Sequence, residues 1–479
     1  MDPLRKALIV LPLLLTLAAA ATPAFQHIVV IVQENRTPDN LFQGLCTPPY
    51  GTAASCSTKP GGGQYNIQTK NWLNNASKSG FTQPKPQPLA SQFDMSHTHT
   101  AFVTMCDRDP KTGICKMDGA AAVRCTPNCP ANNAYTYVDN STGILDPYLT
   151  LATEFGWANY MFQTNQGPSF PAHQFLFGGT SAPSAADDAA GIFASENPTQ
   201  SGNPIGNSAG CATAPGITVQ LIDSTGSEKQ TVYPCFEHMT IVDFLPSTFT
   251  WRYYAPNAGS IWTAPNAIKH ICASSGKGGI CKGKEWVNNV DLKPSDVLKD
   301  IASCNLRSLS WVMPTGQNSD HAGVSDGGGP SWISSIINAL GTSTSCDSNT
   351  GYWNNTAIIL VWDDWGGFYD HEPPPPVSEP QGDYQFGFRV PMIVVSARTP
   401  RGYIDNQPHD FGSILRFIEQ NFGISEGALN FADARAKDNL SEFFTGRTPT
   451  LGFREIKAPK KAQFFLNDNR AAADPDDDN

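Results

Sequence analysis

The chain has 479 residues, of which 16% are charged, and its formal net charge is −11 at pH 7. This acidic balance argues against nucleic acid as the main partner and provides no attraction to anionic membranes. Glycine (41) and proline (38) are abundant, which indicates many ordered loops on a compact scaffold rather than a disordered chain. The length suits one large α/β domain with insertions, or two domains.

The first 22 residues have the three regions of a secretory signal peptide. Arg5 and Lys6 precede an apolar run over residues 7–17, and four alanines follow it. The run is short for a membrane span, and no later stretch approaches that length, so we predict no integral membrane segment after cleavage. An uncleaved N-terminal anchor is the alternative. We therefore expect a secreted or periplasmic protein.

All twelve cysteines follow this segment, between Cys46 and Cys346. In an exported chain an even number of cysteines indicates disulfides rather than a thiolate metal site. Cys125 and Cys129 have no Cys or His pair at zinc-finger spacing nearby, which argues against zinc there. All six pairings stay open, but three sequence-local ones would staple loops: Cys46 with Cys56, Cys106 with Cys115, and Cys272 with Cys281.

Short apolar runs alternate with amphipathic segments along the chain, which predicts a mostly parallel sheet flanked by helices on both faces. We expect strands over residues 28–32, 249–254, 306–313, 356–362 and 390–396. We expect helices over residues 146–162, 239–245, 331–340 and 410–422. The last helix should stop at Gly423. Small and polar residues over 178–216 predict a long surface insertion.

Two of the predicted strands end in polar clusters. The first strand is followed by Glu34 and Asn35, and the fourth is followed by Asp363 and Asp364. Adjacent carboxylates repel one another unless a cation or protons compensate, and ligand sites collect at the carboxyl ends of strands in open α/β sheets. Taken alone, the first cluster favours a strand followed by a capped turn, and the second is about as likely to be a structural turn as a ligand site. Together they offer an oxygen-rich set for a hard cation.

A serine and several histidines that lie in or beside predicted turns are candidate catalytic residues. Ser169 lies in the rigid turn Gly-Pro-Ser-Phe-Pro, which would present its hydroxyl at a helix start as a nucleophile, although most serines in such turns only cap a helix. The chain has only 9 histidines. Several of them adjoin acidic or glycine-rich turns, which favours acid–base or phosphate-holding roles, and they include His97, His321 and His371.

Four segments resemble, in order, the motifs of one family. They are Glu-Asn-Arg-Thr-Pro-Asp-Asn-Leu-Phe (34–42), Ser-Phe-Pro-Ala-His (169–173), Asp-Asp-Trp-Gly-Gly-Phe-Tyr-Asp-His (363–371) and Phe-Arg-Val-Pro-Met-Ile-Val-Val-Ser (388–396). The chain thereby resembles, over about residues 25–422, the bacterial and plant phosphoesterase family that includes non-specific phospholipases C and a secreted acid phosphatase. The resemblance implies an alkaline-phosphatase-like α/β core.

The resemblance also implies roles for individual residues. One divalent metal ion would be held by four residues: Glu34, Asn35, Asp363 and Asp364. Oxygen ligands suit Ca, Mg or Mn, and the nearby histidines leave Zn or Fe open. Ser169 would be a transiently phosphorylated nucleophile. His97 and His321 would hold phosphate oxygens or protonate the leaving group, and His371 would support the site. The implied substrate is a phosphate ester, either a phospholipid headgroup ester or a soluble phosphomonoester.

The chain departs from the family pattern at three motifs. Ala172 and His173 stand where members of the family commonly carry Asn-Arg, and Asp364 and Trp365 stand where they carry Glu-His. The first motif has Thr-Pro-Asp-Asn (37–40) where members often have Ser-Phe-Asp-His. A sulfatase-like hydrolase on the same scaffold and a non-catalytic secreted binding protein are the alternative functions. We place the catalytic domain at residues 23–455, with an insertion at about 178–235, and a C-terminal tail at 456–479.

Overall fold

An eight-stranded sheet forms the centre of the protein. The computed structural model describes residues 24–204, 206–376, 384–446 and 448–473, so the predicted signal peptide and the last six residues lie outside the described residues. In chain order the strands are β1 (His27–Gln33), β2 (Gly156–Met161), β3 (Trp251–Tyr254), β4 (Val290–Asp291), β5 (Leu309–Val312), β6 (Thr356–Trp362), β7 (Met392–Val395) and β8 (Tyr403–His409).

The sheet is mostly parallel. Its spatial order is β4-β3-β5-β1-β6-β7-β2-β8, and five of the seven strand pairs are parallel, because only β7 runs against its neighbours. β1 lies in the middle between β5 and β6, and all seven of its residues are buried. An unbroken aliphatic run suits this position, since a central strand of a parallel sheet is covered on both faces. The predicted α/β class is confirmed.

Six helices of at least seven residues occur within the described part of the chain: α1 (His99–Cys106), α2 (Asp146–Glu154), α3 (Ser169–Gly178), α4 (Asp296–Ala302), α5 (Gly329–Thr342) and α6 (Phe411–Phe422). α6 begins after Asp410, whose carboxylate accepts the Ser413 N–H, and ends at Gly423 in the left-handed conformation, as predicted. α3 packs against α6, and α5 packs against α2 and α4. None of the described helices combines the length and the apolarity needed to cross a membrane.

Shorter elements complete the described structure. Helices of four to six residues are Pro38–Leu41, Ala185–Ala189, Lys269–Cys272, Lys284–Asn289, Cys346–Asn349, Tyr352–Asn355, Ala432–Arg435 and Ala462–Leu466. Three two-stranded sheets pair Trp72–Leu73 with Phe81–Thr82, Lys85–Gln87 with Thr136–Val138, and Asp94–Met95 with Cys125–Thr126.

Three local predictions are wrong in part. The helix predicted over residues 146–162 ends at Glu154, and Gly156–Met161 forms β2 instead. Pairing with β7 and β8 decides this conformation, which local periodicity does not reveal. Residues 239–245 form only a 3₁₀ turn, Ile241–Asp243.

The third prediction that the structure corrects is the surface insertion. It contributes most of a five-stranded sheet with strands Phe193–Ala194, Thr199–Gln200, Asn203–Pro204, Ile217–Ile222 and Gln230–Val232. Thr180, Ser181, Phe193 and Ala194 are fully buried. Part of the insertion therefore packs on the body of the protein, whereas residues 201–203 and 214–216 are exposed.

All twelve cysteines form disulfides. The three predicted local pairs are present, and the other pairs are Cys125–Cys129, Cys211–Cys235 and Cys304–Cys346. Five of the six bridges join cysteines no more than 24 positions apart. The disulfides therefore staple loops, as predicted, and Cys211–Cys235 closes the insertion.

The segment after residue 455 contacts the body of the protein. Phe465 is buried against Trp332, with ring centroids 5.2 Å apart. Arg470 forms ion pairs with Asp326 and Asp468. The domain boundary at 455 stays a prediction.

His409, the last residue of β8, is buried between two carboxylates. Its Nε2 lies 3.2 Å from Asp405 Oδ1, and its Nδ1 lies 2.5 Å from Asp438 Oδ2, a close contact that is poorly directed for a hydrogen bond. Burial disfavours the charged imidazolium, but the two carboxylates outweigh burial and raise the pKa of His409 to about 9.

This shift predicts a pH-dependent stability. Because the folded pKa lies above the unfolded value of about 6.5, the contribution of His409 is complete below that pH and is lost as the pH rises through about 9. The difference in free energy of unfolding between the wild type and His409→Gln should shrink by on the order of 3 kcal/mol between about pH 6.5 and pH 9.5, measured by urea denaturation. His238→Gln is the control, because burial lowers the pKa of His238 and its difference should stay constant. A constant difference for His409→Gln would contradict the prediction.

Candidate active site

The polar residues that follow β1 and β6 meet at one edge of the sheet. The parallel register pairs Gln33 with Trp362. The Asp363 N–H donates to Gln33 O at 3.0 Å, and the Asn35 N–H donates to Asp363 Oδ1 at 3.1 Å. The two predicted clusters therefore form one site. All four predicted ligands are fully buried: Glu34, Asn35, Asp363 and Asp364.

The turns after β1 and β6 are in direct contact. Asn35 has a φ of +61°, a left-handed conformation that asparagine tolerates better than most residues. Gly366 and Gly367 also have positive φ. A Cβ at Gly366 would lie 2.3 Å from Asn35 O, and one at Gly367 would lie 2.4 Å from Met95 Cβ. Only glycine allows the turn after β6 to approach the turn after β1 so closely.

α3 brings two further side chains to the carboxylates. Ser169, its first residue, has Oγ 3.2 Å from Asp364 Oδ2 and 3.5 Å from Glu34 Oε2. His173, four residues later on the same helix face, has Nε2 3.2 Å from Glu34 Oε1 and 3.6 Å from Asp363 Oδ2. Both side chains are fully buried. A hydroxyl beside two carboxylates has acceptors within reach for its proton.

His97 and His321 lie beside this group. Nδ1 of His97 donates to the Met95 carbonyl at 2.8 Å, so its Nε2 accepts from the Asn35 amide at 3.0 Å in the neutral ring. Nε2 also lies 3.9 Å from Asp364 Oδ2. The His321 ring centroid is 5.7 Å from that of His97. The structure thus brings both predicted histidines to the site.

His371 belongs to a second buried cluster. Its Nδ1 lies 2.7 Å from Asp39 Oδ2, and its Nε2 lies 2.9 Å from Asn66 Oδ1. Arg389 makes two 3.0 Å contacts with Asp370 and lies 3.6 Å from Asp39. Burial raises the pKa of Asp370 to about 6 even though Arg389 opposes that shift. This second cluster joins the loop after β1 to the loop after β6. His371 therefore lies among the residues that hold these two loops together rather than among the predicted metal ligands.

The first cluster fits a metal ion. Glu34, His173 and Asp363 each offer one ligand atom, and these atoms lie within 4.8 Å of one another. Asn35 Oδ1 and Asp363 Oδ2 are buried and accept no hydrogen bond from the described residues. Burying carboxylates and unsatisfied acceptors together is costly unless a cation or protons compensate. A divalent ion would satisfy both requirements.

Two features of the site were not predicted. His173 contacts two of the predicted ligands, and its spacing of four from Ser169 was the available signal. The insertion also reaches the site, because Asn197 Oδ1 accepts the Phe170 N–H at 2.9 Å. A Cβ at Gly167 would lie 2.1 Å from Ser195 O. The insertion therefore packs directly on the turn that carries Ser169.

Comparison with known proteins identifies the family. A model described as the phosphoesterase family matches residues 25–425. This chain belongs to the phosphoesterase family. One relative, the hemolytic phospholipase C of Pseudomonas aeruginosa, is 24% identical over 470 residues, which cover 89% of this chain and 56% of that protein. The non-specific phospholipase C6 of Arabidopsis thaliana is 28% identical over 180 residues, which cover 31% of this chain and 33% of that protein. The predicted family is confirmed.

The chain spans about half the length, or less, of the curated relatives it matches. Among solved structures, it is similar to a protein in the alkaline phosphatase superfamily from Vibrio parahaemolyticus, with a TM-score of 0.29 and 13% identity over 60% of this chain and 62% of that chain.

Proposed function

We propose that this protein is an exported hydrolase of phosphoric esters with Ser169 as its nucleophile. One divalent metal ion would be held by Glu34, Asn35, Asp363 and Asp364. The observation that carries the proposal is the Ser169 hydroxyl, which lies against buried carboxylates at the ends of two adjacent parallel strands. When bound, the metal ion would neutralise phosphoryl oxygens and favour ionisation of the nearby hydroxyl.

The protein's own groups account for the remaining steps. Ser169 Oγ attacks phosphorus, the Oγ–P bond forms, and the P–O bond to the leaving alcohol breaks. Asp364 Oδ2 is the nearer of the two carboxylate oxygens that can take the hydroxyl proton. His97 and His321 hold phosphoryl oxygens or protonate the departing oxygen, which leaves as the alcohol. Water then attacks phosphorus, the Oγ–P bond breaks, phosphate or a phosphomonoester leaves, and Ser169 Oγ takes up a proton to restore the hydroxyl.

Two observations support the substrate class and the compartment. Relatives that match this chain are named phospholipases C, so we infer a phosphate ester as the substrate, either a phospholipid headgroup ester or a soluble phosphomonoester. Six disulfides suit an oxidising compartment, which supports export.

Matched chromogenic esters test the proposal. The purified protein should hydrolyse p-nitrophenyl phosphate or p-nitrophenyl phosphorylcholine and leave p-nitrophenyl sulfate intact. A chelator should abolish this activity, and an added divalent ion should restore it. Faster hydrolysis of the sulfate ester would favour the sulfatase-like alternative. Failure to hydrolyse any ester with any added divalent ion would favour a non-catalytic binding protein.

A further inference from the structure

We propose that Nε2 of His173 is a direct ligand of the metal ion, so that the site selects Zn²⁺ or Fe²⁺ over Ca²⁺ and Mg²⁺. The inference deepens the proposed function and rests on its metal site. It adds a nitrogen donor to a set of ligands that otherwise consists of oxygens.

The distances around His173 carry the inference. Its Nε2 lies 3.2 Å from Glu34 Oε1 and 3.6 Å from Asp363 Oδ2. Two ligand atoms that each lie about 2.1 Å from one ion are separated by about 3.0 Å at an octahedral angle and about 3.4 Å at a tetrahedral angle. His173 Nε2 already stands near these separations from both carboxylates, and the ligand atoms of all three side chains lie within 4.8 Å of one another. Asp363 Oδ2 accepts no hydrogen bond from the described residues, so it is available to an ion that His173 also contacts.

The fold holds the His173 ring in place. The ring is fully buried, and its centroid lies 6.4 Å from that of the Trp262 indole. The next residue, Gln174, donates from Nε2 to Ala264 O at 3.3 Å. α3 also packs on α6. A ligand that is oriented before the ion binds loses little side-chain freedom on binding.

The donor set determines the preferred ion. Carboxylate and amide oxygens suit Ca²⁺ and Mg²⁺, whereas an imidazole nitrogen suits Zn²⁺ and Fe²⁺. The competing interpretation is that the Nε2–H of His173 only donates a hydrogen bond to Glu34 and orients that carboxylate. The two interpretations differ in whether nitrogen is bonded to the ion.

Pulsed EPR distinguishes a nitrogen that is bonded to the ion from one that only donates a hydrogen bond to Glu34. The metal-free protein, loaded with less than one equivalent of Cu²⁺ that Zn²⁺ can displace, should show modulation from a coordinated imidazole. His173→Gln should lose this modulation. In chelator competition, the affinity of that variant for Zn²⁺ should fall by more than the roughly 10- to 100-fold that loss of an outer partner causes, while its affinity for Mg²⁺ stays within a few-fold.

Three controls sharpen the result. His238→Gln, beside Gly178 at the far end of α3, should keep the modulation, as should His97→Gln. Ser169→Ala should also keep it while losing turnover, which separates this inference from the proposed function. Wild-type protein without imidazole modulation, or modulation that survives His173→Gln, would overturn the proposal. Nitrogen coordination without any ester hydrolysis would instead support this inference and contradict the proposed function.

Discussion

Ser169→Ala should lower kcat for a chromogenic phosphate ester by at least about 10³-fold, because removing a catalytic nucleophile removes the covalent route. Residual activity would come from the remaining electrostatic groups. The substitution deletes one oxygen from the first residue of α3, whose hydroxyl hydrogen bonds go to Asp364 and Glu34, so the fold should persist. Steady-state kinetics measures the change in kcat, and circular dichroism measures whether the fold persists.

Ser334→Ala is the matched control. Ser334 is also a buried helical serine, and its Oγ donates to Pro330 O at 2.7 Å within α5. The same atom is deleted, so kcat should stay within a few-fold of the wild-type value. If Ser169→Ala were as active as Ser334→Ala, Ser169 would have no part in the mechanism.

Arg389→Ala should lower the free energy of unfolding by on the order of 3–5 kcal/mol, the range seen when one partner of a buried ion pair is removed. Arg389 is fully buried and makes two contacts with Asp370. It also donates to the backbone carbonyls of Asn66 and Asn159. Its loss would leave Asp370 and Asp39 with less positive charge nearby. Urea denaturation at neutral pH measures the change.

An exposed ion pair provides the comparison. Lys461 Nζ lies 2.8 Å from Glu455 Oε1, with the two side chains 59% and 62% exposed. Lys461→Ala should therefore cost less than about 1 kcal/mol. If Arg389→Ala cost no more than Lys461→Ala, the second buried cluster would not be what joins the loops after β1 and β6.

Much of the sheet could be predicted because its central strands carry strong local signals. β1 and β6 are unbroken apolar runs, and α6 has both an Asp cap and a terminal glycine. β2 could not be predicted, because residues 156–161 continue an apolar pattern that also suits a helix. Contacts with β7 and β8, more than 200 positions along the chain, make it a strand. The antiparallel direction of β7 likewise depends on long-range pairing.

The site residues that follow strands could be predicted from the sequence. Those that reach the site because a helix packs over the sheet were harder to predict. Glu34 and Asp363 follow neighbouring strands, so their meeting follows from a parallel register. His173 reaches them only because α3 docks with its first turn over the strand ends. His371 is close to Asp363 in sequence. The chain turns at Gly366-Gly367, however, and His371 contacts Asp39 instead. Proximity in sequence was therefore a poor guide at that position.

Trapping the covalent intermediate shows directly whether Ser169 is the nucleophile. The protein would be mixed with excess p-nitrophenyl phosphate, quenched in acid during turnover, digested and examined by mass spectrometry. We expect one phosphoryl group on Ser169, and Ser169→Ala should yield no phosphorylated peptide. Turnover that persists at the wild-type rate in Ser169→Ala, or a phosphoryl group on another residue in that variant, would contradict this mechanism.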